Sequence, residues 1–69
     1  MNKRKALEEL LSKFGYEVRG TDIWTKRIAG YPGRPFGTCR DIFDACDQLI
    51  PIIHDDKYHK ALTEITDAP

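Results

Sequence analysis

Sixty-nine residues carrying eleven cations and eleven anions make a neutral chain long enough for one domain. A chain of this size buries only about 60% of its unfolded surface, so its core is small and its stability marginal. Zero net charge and a pI near 6.7 argue against a uniformly basic nucleic-acid coat, and no apolar run approaches the roughly 18 residues of a membrane span.

The neutrality hides a division. Residues 1–40 hold nine cations against four anions, a net of +5, whereas residues 41–69 hold two against seven, a net of −5. Such asymmetry between halves suggests charged partners.

Ala6, Leu7, Leu10, Leu11 and Phe14 recur at helical spacing, and Gly15 is placed to end that helix. Lys3, Arg4 and Lys5 crowd its N-terminus, where the helix dipole disfavours cations, and read as a solvated basic end. Tyr16 to Ile28 reads as a β-hairpin around Gly20-Thr21-Asp22. A two-residue Gly20-Thr21 loop opposes Val18 to Ile23 and leaves Trp24 on the charged face. A three-residue loop opposes Val18 to Trp24 and buries Tyr16, Val18, Trp24 and Ile28 together. The second covers more apolar area and is the expected register, since a slip of one residue reverses every side chain.

Ala29 to Gly37 (AGYPGRPFG) has three glycines and two prolines, and reads as a constrained loop displaying Tyr31, Arg34 and Phe36. Thr38 is expected to cap a second helix, paired with Asp41 three residues on. Ile42, Phe43, Cys46, Leu49 and Ile50 form its apolar face, with Asp41, Asp44 and Asp47 as an acidic stripe on another. Pro51 interrupts it. Ile52, Ile53, Tyr58, Ala61, Leu62 and Ile65 suggest a third helix starting near Asp55 or Asp56, with residues 1–2 and 66–69 frayed. The expected fold is a single α+β domain over 1–69, with helices covering one face of a two-stranded antiparallel sheet, because a lone hairpin is unstable in water. A homodimer would enlarge so small a core.

Little in the chain suggests catalysis. Cys39 and Cys46, seven apart on the predicted helix, stand about 10 Å apart along its axis, too far for a disulfide. Unpaired thiols fit a reducing compartment, and the charged start of the chain carries no secretory h-region, so a cytoplasmic location is expected. Cys39 in the first turn of a helix would have its thiolate favoured, yet it needs a base such as His54 or His59. Two buried, inert thiols are the simpler reading. Asp55, His59 and His54 adjoin one another without the spacing of a zinc site, and neither a metal nor a cofactor is expected.

Two binding readings remain. In one, a protein partner is engaged by Tyr31, Arg34, Phe36, Asp41, Asp44 and Asp47, the opposed charges steering the encounter. In the other, Arg19, Lys26, Arg27 and Arg34, interleaved with aromatics, hold a single-stranded nucleic acid.

The segment 39–53 (CRDIFDACDQLIPII) resembles the NinX-like early-region proteins of bacteriophages, in which a Cys, four residues and Asp-Ala are followed by Pro-Ile-Ile. Cys39, Asp44, Ala45, Pro51, Ile52 and Ile53 carry the likeness. The gap between Ala45 and Pro51 is longer here, and the aromatic before the proline is absent. The resemblance implies a phage or prophage accessory protein acting in the host cytoplasm without implying an activity. With the charge division, it leads to the expectation of a non-enzymatic module that binds and modulates a host protein.

Overall fold

The computed structural model describes residues 2–27 and 29–68. Its first helix, α1 (Lys3–Lys13), starts at Asn2, whose side chain accepts the Lys5 N–H at 3.2 Å. That cap satisfies one of the orphan N–H groups of a first turn that has no acidic residue. Lys3 finds a partner elsewhere, donating to the Thr66 carbonyl at 3.2 Å. Leu7, Leu10 and Leu11 are buried, and Gly15 ends the helix with φ +88°, a conformation that a side chain disfavours.

The strands β1 (Tyr16–Arg19) and β2 (Asp22–Thr25) pair antiparallel, with Val18 opposite Ile23 and Glu17 opposite Trp24. This is the two-residue register, so the expectation of a three-residue loop burying Trp24 is corrected. Two physical reasons account for it. Gly20, at φ +60°, occupies the first of two loop positions, where a type II′ turn calls for glycine. Trp24 also gains a partner on the outer face: the Arg19 guanidinium lies 4.4 Å from its ring centroid, itself paired with Glu17 at 2.7 Å. Ile23 is fully buried in its place, whereas Trp24 is half-buried. Ile28 lies outside the described residues.

A third strand, β3 (Pro35–Thr38), pairs antiparallel with β2, giving the order β1-β2-β3. The predicted two-stranded sheet and structureless loop are corrected accordingly. Proline and glycine do not prevent pairing here because β3 is an edge strand with Pro35 as its first residue, a position that needs no N–H donor. Asp22 faces Thr38, Ile23 faces Gly37 and Trp24 faces Pro35, so Phe36 is the extra residue of a bulge.

Helix α2 (Ile42–Gln48) begins after Asp41, not at Thr38, which ends β3. Helix α3 (Asp56–Asp67) is capped by Asp55, which accepts the Lys57 N–H at 2.8 Å. It continues through Thr66 and Asp67, where a frayed tail was expected; the Thr66 hydroxyl donates back to the Leu62 carbonyl at 2.9 Å. Helix α1 is the hub, packing on β1, α2 and α3. Its leucines meet Ile23 from the sheet, Ile42, Ala45, Cys46 and Leu49 around α2, and Tyr58 and Leu62 from α3. No helix among the described residues is long and apolar enough to cross a membrane.

Candidate functional site

The acidic stripe is mostly internal wiring. The Asp41 carboxylate accepts the Asp44 N–H at 2.9 Å and caps α2. The Asp44 carboxylate in turn accepts the Arg40 N–H at 2.9 Å and the Gln48 amide at 3.0 Å. The Arg40 N–H bond holds its carboxyl below the usual range, helped by the Gln48 amide and the Arg40 charge against some loss of hydration. Gln48 also donates to the Thr38 carbonyl at 2.9 Å, which ties α2 to the end of β3. The predicted Thr38–Asp41 pair is thus an Asp41–Asp44 pair three residues along, and of the three aspartates only Asp47 is left facing solvent without a side-chain bond among the described residues.

Around Asp47 lie side chains that should have been core. Ile42, Ala45, Cys46 and Leu49 fill the buried face of α2 at i, i+3, i+4 and i+7. Phe43, one position off that face, is 45% exposed, and Ile50, seven residues further, is 38% exposed. Phe43 and Asp47, four residues apart, share one side of α2, and Ile50 follows in the turn beyond the helix, its N–H donating to the Asp47 carbonyl at 3.2 Å. Ile52 in the following turn is 41% exposed. The broad apolar face predicted for this helix is therefore two faces, one buried and one open. The sequence held the signal, because Ile42-Ala45-Cys46-Leu49 already completes a helical stripe without Phe43 or Ile50.

Tyr31 and Arg34 lie elsewhere, on the connection between β2 and β3, and Phe36 lies in β3 itself. Tyr31 is 75% exposed. Phe36, although 45% exposed, meets Tyr16 edge to face at 5.5 Å, so it closes one end of the sheet. Arg34 is anchored by its backbone: its N–H donates to Thr25 Oγ1 at 2.9 Å, and its carbonyl accepts the Thr25 N–H at 2.8 Å. The structure therefore does not merge the two groups of predicted contact residues into one element.

The basic residues also divide. Arg19 is held over Trp24 and paired with Glu17, and Lys26 donates from Nζ to the Ser12 hydroxyl. Lys26 and Ser12 line an open cleft of about 280 Å³ with Glu8, Glu17 and Val18, where they tether α1 to the end of β2. Arg27 and Arg34 stay exposed, and neither belongs to an ion pair among the described residues.

Neither thiol has the surroundings of a nucleophile. Cys39 is not in a helix but on the connection from β3 to α2, its N–H donating to the Thr21 carbonyl at 2.9 Å. Burial raises its pKa, and the charges of Asp44, Asp41 and Asp22 raise it further, the opposite of thiolate activation. Burial pushes the Cys46 thiol up to about 11. His59 Nε2 bonds the Ile53 carbonyl at 3.0 Å, which orients the turn before α3, and His54 is exposed. No family model matches this chain, and no curated protein or solved structure matches it.

Proposed function

We propose that this chain is a non-enzymatic protein-binding module whose contact surface is the open side of α2 and the turn after it. The observation that carries this reading is the exposure of Phe43, on the same side of α2 as Asp47, and of Ile50 and Ile52 in the turn that follows. Large apolar side chains grouped on one side of a small protein are usually covered by a partner. An acidic group among them favours a partner surface that is apolar with a basic rim, and gives the encounter an orientation. The predicted stripe narrows to Asp47, since Asp41 and Asp44 serve the helix. The resemblance of residues 39–53 to phage early-region proteins agrees with a host protein as the target, modulated by occlusion of its surface in the cytoplasm.

Affinity capture from nuclease-treated bacterial lysate, read side by side for variants, tests this. A protein retained by the native chain should be lost with Phe43→Ser and weakened with Asp47→Lys, both folded by circular dichroism. Equal retention by all three would remove this surface from consideration.

A further inference from the structure

Between Ile23 and Cys39 no described residue is buried. Residues 23–40 contain four cations, Lys26, Arg27, Arg34 and Arg40, and no aspartate or glutamate. The β2–β3 hairpin is thus a cationic arm that gives the core almost nothing beyond Ile23.

The arm is nevertheless held in one shape. Thr25 binds Arg34 through both backbone and hydroxyl. Gly33 approaches so closely that a Cβ there would stand 2.3 Å from the Thr25 carbonyl oxygen and 3.6 Å from the Arg27 nitrogen. This places Arg27 and Arg34 on facing segments of the same crossing. At the far end Ala29 (φ +49°) and Gly30 (φ +86°) are both left-handed, the requirement of a type I′ turn. Alanine rarely adopts that conformation, so the surrounding chain holds it there. The turn presents Tyr31, the most exposed of the large apolar side chains described.

We infer that this arm binds single-stranded nucleic acid, with phosphates on Arg27 and Arg34 and an unstacked base on Tyr31. Guanidinium groups meet phosphate oxygens through paired N–H donors, and neither arginine is neutralised by a carboxylate among the described residues. The Tyr31 ring on the same arm offers a stacking surface that a base can use, and one ring at a hairpin tip reaches a base only where it is not already stacked in a duplex. This inference stands apart from the α2 surface and does not depend on it.

Fluorescence anisotropy of labelled oligo(dT) and oligo(U) with the full chain tests it. Two phosphate contacts predict a log–log salt slope of about −1.4, an affinity loss of about sevenfold between 50 and 200 mM salt. Tyr31→Ala should weaken binding about fivefold or more and leave that slope intact. Arg27→Ala with Arg34→Ala should remove both slope and binding, while Phe43→Ser should change nothing. No binding at 50 mM salt, a flat salt response, equal affinity for duplex, or indifference to the arginine pair would each overturn the inference.

Discussion

Tyr58 joins two helices through one hydroxyl, and removing that oxygen tests how the domain is closed. The ring is fully buried and meets Phe14 edge to face at 5.4 Å. Its hydroxyl donates to the Cys46 carbonyl at 2.8 Å. Near the end of α2, Ala45 accepts from Leu49, Asp47 accepts from Ile50 and the Leu49 carbonyl accepts from Ile53, so Cys46 has its partner in α3. Tyr58→Phe keeps the ring and strands that carbonyl, a loss of about 1–3 kcal/mol. For a domain of this length each kilocalorie lowers Tm by about 4–8 °C. The assay is thermal and urea unfolding followed by circular dichroism. The pH dependence supplies a second readout. Burial raises the Tyr58 pKa above its ordinary 10.0, with smaller contributions from Cys46 and Asp47. The folded state therefore holds the phenolic proton more tightly than the unfolded chain does. That stability is fully present below the unfolded value and is lost as pH rises above it, by up to about 1.4 kcal/mol per pH unit. Cys46, shifted by burial from 9.0 to about 11, acts in the same direction starting one unit lower. The gap between native chain and Tyr58→Phe should accordingly narrow above pH 10. An unchanged Tm at neutral pH, or a gap that widens in alkali, would refute the reasoning.

Other substitutions probe the sheet and the caps. Ile23→Ala should cost about 2–5 kcal/mol by emptying a fully buried site, clearly more than Trp24→Ala on the outer face; the reverse order in urea unfolding would restore the three-residue register. Gly33→Ala should lower stability by about 1–3 kcal/mol because its Cβ meets a backbone carbonyl, whereas Gly37→Ala meets nothing within 4 Å; equal melting temperatures would show that the arm is not pinned. Asp44 has its pKa lowered from 3.8, so its contribution is present above that value and lost as pH falls through the folded one. Asp44→Ala should flatten the acid limb of the stability curve, and an unaltered limb would place its hydrogen bonds outside the stability of the domain.

The helices were legible because their signals are local. Ala6 to Phe14 is an amphipathic run with Gly15 as its stop, and α3 was expected to start near Asp55 or Asp56; Asn2, expected to be frayed, instead caps α1. The sheet was less so. The preferred hairpin register rested on apolar area alone and overlooked the glycine-first turn and the attraction of Arg19 for the Trp24 ring. Strand β3 was hidden because proline and glycine signal loops, and only pairing along β2 makes Pro35 to Thr38 a strand. Asp41 and Asp44 look like a recognition stripe in sequence, yet they accept the Asp44 and Arg40 backbone N–H groups and the Gln48 amide, partners that appear only once the start of α2 is placed. Phe43 and Ile50 were read as core because every large apolar residue of the segment was assigned to one face, although Ile42, Ala45, Cys46 and Leu49 alone complete a helical stripe.

Photo-crosslinking from position 43 tests the protein-binding account most directly, since benzoylphenylalanine there replaces an aromatic already facing outward. In bacterial lysate treated with nuclease, the account predicts a discrete protein adduct from position 43 that is absent when the probe stands at exposed Lys57 and is suppressed by Asp47→Lys. No adduct from position 43, or the same adducts from both positions, would contradict it.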